Sequence, residues 1–202
     1  MKLLGTATSP YVRKARLVLL EKNIPHEFVI DQPQEPGSLV PGINPLGRIP
    51  ALLLDDGFCV FDSSVIADYV DTLNDQPVLI PRADVRARLR VKRWEALADG
   101  IMDSALVVRN EHARAADKQD IATLDMHNTA ISHALEYIAK LLGEHVWCEG
   151  DAITLADLAL LSALIYLDLR QAERDWRGKH SNLAAWFARL SLRSSVIEAN
   201  RV

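Results

Sequence analysis

The pattern of apolar residues changes near residue 84, and that change limits the folds open to this chain. Before it, the short strand-like runs "KLLGT", "HEFVI", "ALLL" and "CVF" alternate with helical patterns. After it, the apolar residues recur with helical spacing and no convincing strand pattern occurs. We therefore predict an α/β domain over residues 1–75, a proline-containing linker over 76–83 and an all-α helical bundle over 84–202.

In the first domain the predicted order is strand, helix, strand, loop, two strands, helix. The first helix runs from Pro10 to Lys22, with its basic residues on the side opposite the apolar ones. Asp-Gly at 56–57, between two apolar runs, predicts a hairpin. "DSSVIADYVDTLN" begins with an aspartate that can cap a helix. This order predicts a sheet with helices packed on it.

The helical domain carries clear start and stop signals. A long helix begins near Asp84, with a local irregularity expected at Gly100. Gly143 is placed to end the second long helix. Thr154 and Asp157 match the capping-box pattern before an apolar helix that we expect to be buried. Two shorter helices are predicted to follow.

Composition excludes several classes of function. The formal net charge is -4, which argues against nucleic acid as a partner, and we interpret the basic run 86–93 as a solvated helix face. The two cysteines form no CxxC, and the histidines show no metal-binding spacing, so we predict no metal and no disulfide framework. We interpret Cys59 as a buried small hydrophobe, whereas the sequence does not decide whether Cys148 is buried or exposed. No secretion signal or bilayer-spanning run is recognisable, so we expect a cytoplasmic protein that does not bind membranes.

Four motifs occur in a fixed order along the chain. They are Ser9-Pro10 at a strand-to-helix turn, "NPLGRIPALLLDDG", "FDSSVIADY" and "DAITLADLALLSAL". In this order, and followed by an all-helical domain, they resemble the cytosolic glutathione S-transferases, whose N-terminal domain has the thioredoxin-like fold. "SPYVRKARL" with "EALADGIMDSA" also resembles the bacterial YibF-type branch of that family. The resemblance covers nearly the whole chain and implies glutathione as co-substrate.

The resemblance implies two binding elements for this tripeptide, which has two carboxylates, an ammonium and a thiol. Ile49-Pro50 would supply a strand edge, with a cis bond that lets the N–H and C=O of Ile49 pair with the cysteinyl backbone of the ligand. The alternative is a trans proline that only starts the next strand. Asp62-Ser63, at the start of a helix, would hold the γ-glutamyl end. Asp62 could instead act only as a helix cap, and the two roles are compatible.

The remaining groups of the ligand have weaker candidates. Arg48, with Arg13 as a second choice, could bind the glycine carboxylate. Asp99 or Asp103 could bind the ammonium, including across a dimer interface. The resemblance places a hydrophobic electrophile between the domains, near Thr8, Tyr11, Ala105, Val108 and Arg109.

Ser9 occupies the position where the omega and beta classes carry a cysteine. A mixed disulfide with the protein cannot form there, which leaves conjugation, peroxide reduction by glutathione itself or a zeta-like isomerisation. The Ser9 hydroxyl can cap the helix that starts at Pro10, or it can donate to the glutathione sulfur and favour the thiolate. Both alternatives remain open at the level of sequence.

The resulting hypothesis is a glutathione transferase of detoxification type that acts on a hydrophobic small molecule. We expect a homodimer, in which the first domain of one subunit packs on the long helices of the other. The helix surface expected to contribute comprises Val91, Trp94, Leu97 and Ala98. The alternative function is a glutathione- or partner-binding module with little or no catalysis.

Overall fold

The computed structural model describes residues 1–201, which form two compact units. The first unit comprises Met1–Val85 together with the chain from Leu192 onward, and the second comprises Arg86–Ser191. Residues after Leu192 therefore group by contacts with the first unit, whereas the predicted ranges assigned them to the helical domain. Whether residues 1–75 and 84–202 fold as separate domains stays a prediction.

The first unit is built on a four-stranded mixed sheet. Its strands are β1 (Lys2–Gly5), β2 (Glu27–Ile30), β3 (Ala51–Leu53) and β4 (Cys59–Val60), in the spatial order β2-β1-β3-β4. β1 is parallel to β2 and antiparallel to β3, and β3 is antiparallel to β4. The helices of this unit are α1 (Pro10–Glu21), α2 (Val40–Ile43), α3 (Ser63–Thr72) and α9 (Ser194–Ala199). The predicted thioredoxin-like fold is thereby confirmed, and the four-residue helix α2, which contains Pro41 and Gly42, is the helix of this unit that was missed from sequence.

The second unit is helical, as predicted, and residues 86–191 contain no strand. Its elements are α4 (Val85–His112), a short 3-10 helix (Ala116–Lys118), α5 (Ile121–Leu142), α6 (Leu155–Arg170), α7 (Trp176–Lys179) and α8 (Ser181–Leu190). α4 runs through Gly100 without a break, so the predicted irregularity there is wrong. One glycine inside a helix costs only about 1 kcal/mol, which a helix of this length tolerates. Gly143, with a φ of +50°, ends α5 as predicted.

Three of the four α4 residues expected at a dimer interface are buried within the subunit. Val91, Trp94 and Ala98 are fully buried, and Leu97 is half-buried. The predicted interface surface is therefore wrong in detail. The helical period correctly identified an apolar face, but this face is already covered by the chain itself.

A buried ion pair connects α1, α3 and the predicted linker. The ammonium of Lys22 is fully buried and donates to Asp71 Oδ1 at 3.2 Å and to the carbonyl oxygens of Asn74 and Pro77 at 2.9 and 2.7 Å. The Asp71 carboxylate also accepts the Leu79 N–H at 2.9 Å. Because both charges have several hydrogen-bond partners, their burial is compensated, and the first half of the linker is attached to the first unit.

α9 is held at both ends by charged side chains of α1. The Glu21 carboxylate accepts two N–H groups of Arg193, the N-cap residue of α9, at 2.8 and 2.7 Å. Arg16 donates to the carbonyl oxygens of Ala199 and Arg201, at 3.1 and 2.9 Å, where α9 ends. A carboxylate at a helix N-terminus and a guanidinium at its C-terminus both complement the helix dipole. A helix of six residues is not stable alone, so these contacts explain why α9 forms and why it packs antiparallel to α1.

The two cysteines are unpaired and lie in different environments. Cys148 is buried, and burial raises the pKa of its thiol well above the ordinary value. Cys59 on β4 is only half-buried, although it packs against the core, so its interpretation as a buried small hydrophobe is corrected in degree. Within residues 1–201, no helix combines the length and apolarity needed to cross a bilayer.

The start of α6 shows the predicted capping box, with the carboxylate as its main acceptor. Asp157 Oδ2 accepts the Thr154 N–H at 2.9 Å and the Thr154 hydroxyl at 3.2 Å, and Asp157 Oδ1 accepts the Cys148 N–H at 2.8 Å. Burial raises the pKa of the Asp157 carboxyl, although the three donors favour its charged form. The box therefore also attaches the segment before α6 to the helix.

Replacing Thr154 by alanine should lower stability without affecting the first unit. The variant loses the hydroxyl donor in a buried cap, which should reduce the free energy of unfolding by about 0.5–2 kcal/mol. Urea denaturation followed by circular dichroism measures the change. The matched control is Thr129→Ala, which removes the same group from an exposed position inside α5. Equal stability of the Thr154→Ala variant and the wild type would contradict a capping role.

Candidate functional site

The strand register brings three chain segments to one end of the sheet. Leu4 of β1 lies opposite Ala51 of β3, and Leu52 of β3 lies opposite Val60 of β4. Because β3 is antiparallel to both neighbours, the residues just before β3 lie beside the residues that follow β1 and β4. Those three segments carry the sequence motifs: Ser9 follows β1, Ile49-Pro50 precedes β3, and Asp62-Ser63 follows β4.

Helices α1 and α3 also begin at this end of the sheet. They run parallel, since Lys14 near the start of α1 contacts Ser64 at the start of α3, and Lys22 just past α1 contacts Asp71 near the end of α3. Neither helix has an acidic residue in its first turn. The free N–H groups and positive dipole ends of two helices thus face one region, a pattern suited to anionic groups.

Ile49 presents its main chain at this site. The Ile49-Pro50 peptide bond is cis, and the Ile49 side chain packs against the core formed by Leu4, Val40 and Ala51. Within residues 1–201, no protein group hydrogen-bonds to the Ile49 N–H or C=O. The main chain of Ile49 is therefore able to pair with an extended peptide ligand.

Asn44 organises the loop before Ile49, a role not recognised from sequence. Its side chain is only 2% exposed; its Nδ2 donates to the Arg48 carbonyl at 2.7 Å, and its Oδ1 accepts the Leu46 N–H at 3.0 Å. Gly47 completes the turn with a φ of +57°. The available signal was the Asn-Pro pair followed by glycine, which is typical of such a turn. The Arg48 side chain is exposed, and no carboxylate of the described chain pairs with it.

Asp62 caps helix α3, whereas Ser63 keeps its donors available for a ligand. Asp62 Oδ1 accepts the Ser64 N–H at 3.0 Å, so Asp62 is the N-cap of α3. Ser63 is the first residue of that helix and is 3% exposed. Among residues 1–201, neither the N–H nor the hydroxyl of Ser63 has a hydrogen-bond partner. Capping by Asp62 thus leaves the Ser63 donors available.

Lys14 is a buried positive charge, although the sequence pattern predicted an exposed side chain. The helical pattern put the basic residues of α1 on the side away from the core, yet Lys14 is fully buried and Arg13 and Arg16 are nearly so. Lys14 Nζ donates to Ser64 Oγ at 3.3 Å. This interaction brings a buried ammonium to the N-terminus of α3, where it adds to the positive potential of the helix end.

Ser9 is the N-cap of α1, which confirms one of its two predicted roles. Its oxygen accepts the Val12 N–H at 3.4 Å, and its own N–H donates to the Thr6 carbonyl at 3.1 Å. Capping uses the hydroxyl as an acceptor only, and no residue in 1–201 accepts its proton. The hydroxyl can therefore cap the helix and still donate to a bound ligand.

The other predicted residues lie in both units. Thr8 is exposed and Tyr11 half-buried beside Ser9 in the first unit, whereas Ala105 and Val108 are buried and Arg109 exposed on α4 of the second unit. The electrophile cleft predicted between them stays a prediction. The remaining predicted residues, Asp99 and Asp103, lie one helical turn apart on α4.

Arg13 is a poor second choice for a ligand carboxylate. Its guanidinium is bound to protein acceptors, including the Ala7 carbonyl at 3.1 Å. Burial, together with the nearby Arg16, lowers the pKa of Arg13.

Models of one protein family match a large part of each unit. Residues 8–73 match the model of the glutathione S-transferase N-terminal domain, and residues 111–189 match that of the glutathione S-transferase C-terminal domain. The GST-like protein YibF of Escherichia coli K12 is 40% identical over 176 residues, which cover 87% of this chain and 86% of YibF.

Two solved structures are similar over nearly their whole length. A glutathione S-transferase from Methylobacillus flagellatus KT with GSH bound is 38% identical, with a TM-score of 0.96 over 100% of this chain and 99% of that one. A glutathione S-transferase from Methylobacterium radiotolerans JCM 2831, in complex with glutathione sulfonate, is 36% identical, with a TM-score of 0.93 over 98% of this chain and 93% of that one. With both family domains matched, this chain belongs to the glutathione S-transferase family.

Proposed function

We propose that the protein binds glutathione in its first unit and promotes attack of the glutathione thiolate on a hydrophobic electrophile. The observation that carries this proposal is the convergence of Ser9, the unpaired main chain of Ile49 and the free donors of Ser63 at one end of the sheet. The glutathione compounds bound in two similar structures support the choice of ligand. No metal is part of the proposal, and we expect the reaction to take place in the cytoplasm.

The backbone and both carboxylates of glutathione have partners in the proposed complex. The cysteinyl backbone pairs with the N–H and C=O of Ile49, as an added strand would. The γ-glutamyl carboxylate accepts the N–H and hydroxyl of Ser63 at the N-terminus of α3, close to the buried ammonium of Lys14. Arg48 lies one residue before Ile49 and is the proposed partner of the glycine carboxylate.

The Ser9 hydroxyl and the start of α1 are proposed to activate the thiol. A free thiol has a pKa of about 8.5, so a small fraction is thiolate at neutral pH. Lowering the pKa by two units requires about 2.7 kcal/mol. A hydroxyl that donates to an anion contributes about 1.5–3 kcal/mol, and a helix N-terminus adds about 0.3–1 kcal/mol. The combined range of these two contributions includes the roughly 2.7 kcal/mol required, without a cation in contact with the sulfur.

The electrophile site is the least constrained part of the proposal. Thr8 and Tyr11 in the first unit, with Ala105, Val108 and Arg109 on α4, remain the proposed contacts. A binding module with little turnover would use the same glutathione site. Turnover of a panel of hydrophobic electrophiles separates the two functions, since tight glutathione binding without turnover would favour the module.

Removing the Ser9 hydroxyl should weaken thiol activation more than binding. In Ser9→Ala we expect the pKa of bound glutathione to rise by one to two units. This lowers the thiolate fraction at neutral pH, and with it the rate of conjugation, by about three- to twenty-five-fold. Thiolate absorbance of the bound ligand, titrated against pH, measures the effect. Ser9→Thr is the matched control, because it retains a hydroxyl that can both cap and donate. Identical titrations of wild type and Ser9→Ala would limit Ser9 to capping.

Removing the Ser63 hydroxyl should weaken binding itself. Loss of a donor to a carboxylate costs about 1.5–3 kcal/mol, which lowers glutathione affinity about ten- to hundredfold. Isothermal titration calorimetry gives the affinity. Thr72→Ala is the control, since it removes a hydroxyl from the other end of α3, where that hydroxyl only bonds the Tyr69 carbonyl. Unchanged affinity of Ser63→Ala would exclude this site for the γ-glutamyl carboxylate.

We expect a homodimer, through a surface different from the one first predicted. Large apolar side chains remain exposed in each unit: Phe58 is 65% exposed in the first, and Leu89 on α4 is 63% exposed in the second. The family resemblance carries the expectation of a dimer, and these side chains are the candidates for its interface, since single exposed apolar residues also occur on monomers. Analytical ultracentrifugation should show about twice the 22.5 kDa chain mass, and Leu89→Glu should shift the population toward monomer. A 22.5 kDa particle for the wild type at micromolar concentration would contradict the dimer.

A further inference from the structure

One arginine connects the turn that carries Ser9 to the C-terminal part of the chain. We refer to residues 192–201 as the terminal segment. Arg13 Nη2 donates to the carbonyl of Ala7, inside the turn, at 3.1 Å, and its Nε donates to Asn200 Oδ1, in the terminal segment, at 3.2 Å. The same turn is closed by the bond from the Ser9 N–H to the Thr6 carbonyl.

The geometry of a guanidinium makes this connection directional. Arg13 is only 8% exposed, and its N–H groups lie in one rigid plane, so fixing one edge of the group fixes the direction of the others. Its Nη1 is buried and has no hydrogen-bond partner in residues 1–201, so the bonds to Ala7 and Asn200 are the ones that hold the group in place. A shift of the terminal segment therefore changes the position from which Arg13 holds the Ala7 carbonyl.

We propose that Arg13 is a positioning residue, which uses its bond to Asn200 to hold the turn so that the Ser9 hydroxyl faces the bound thiol. The part that concerns the thiol rests on the proposed function, whereas the positioning of the turn can be measured without ligand. The terminal segment then helps to orient Ser9 through the bond between Asn200 and Arg13, two residues that lie nearly two hundred positions apart in sequence.

Arg16 provides a matched control within the same helix. It is also 8% exposed, lies one turn further along α1 and binds the terminal segment through the carbonyls of Ala199 and Arg201. No hydrogen bond within residues 1–201 joins Arg16 to the turn. Arg13→Gln and Arg16→Gln therefore both weaken attachment of the terminal segment, but only Arg13→Gln removes the bond to Ala7.

The first experiment measures hydrogen exchange of the Ser9 amide in the free protein. The amide of Leu4 in β1 reports global unfolding, whereas the amide of Ser9 in its turn exchanges through local opening. We expect Ser9 exchange to be about tenfold faster in Arg13→Gln than in the wild type and unchanged in Arg16→Gln, and any change at Leu4 to report a loss of global stability. Equal Ser9 exchange in both variants would overturn the proposal and leave Arg13 as an anchor for the terminal segment only.

The second experiment measures the bound thiol. We expect Arg13→Gln to raise the pKa of bound glutathione and to lower kcat/KM by about tenfold, with Arg13→Lys recovering part of the loss because lysine can still donate to Ala7. Arg16→Gln should lower Tm without moving the titration. If Arg13→Gln moves the titration no further than Arg16→Gln, the role of Arg13 toward the thiol is overturned.

The two proposals fail in distinguishable ways. An unchanged titration in Ser9→Ala would refute thiol activation by Ser9, and the exchange of the Ser9 amide would still decide whether Arg13 positions the turn. Should Arg13→Gln not fold, Asn200→Ala tests the same connection from an exposed side chain. Asn200→Ala should also accelerate exchange of the Ser9 amide. An unchanged exchange rate in this variant would overturn the coupling of the turn to the terminal segment.

Discussion

Enclosure of α1 is the constraint on which the first unit depends. The helix is covered by the sheet, by α3 and by α9, so even its charged side chains are buried. A buried charge is tolerated only when other groups compensate it, and each compensating group attaches another part of the chain. Lys22 thereby holds α3 and the linker through Asp71, while Glu21 and Arg16 hold the two ends of α9.

The candidate site follows from this arrangement of α1. Parallel packing of α1 and α3 directs two helix N-termini to the end of the sheet where the main chain of Ile49 is unpaired. Its donors are mainly backbone groups and hydroxyls held by turns and caps, with a buried ammonium behind them. Such donors are suited to a peptide with terminal carboxylates, because backbone N–H groups and hydroxyls can bind the ligand's oxygen acceptors without a cluster of basic side chains.

Ser9 illustrates why structural and functional readings of one residue need not compete. An N-cap uses the oxygen of a hydroxyl, whereas activation of a thiol uses its proton, so one side chain can perform both roles. Asp62 and Ser63 solve the same problem differently, since one residue caps α3 and the next keeps its donors free. The two functions proposed above, binding alone and turnover, therefore place similar demands on this unit, and they differ in the protonation state of the thiol of the proposed ligand.

Local signals in the sequence determined the division into an α/β part and a helical part, the helix ends at Gly143 and Thr154, and the order of the motifs, because caps, turns and apolar periods depend on residues close together in the chain. They did not reveal that Lys14 is buried or that Trp94 is buried within its own chain, because a helical period identifies a face and not what packs on it. Nor could they assign the terminal segment to the first unit, since its partners on α1 lie far away in sequence. Only tertiary packing decides such long-range pairings, because a buried charge selects its partner by position in space.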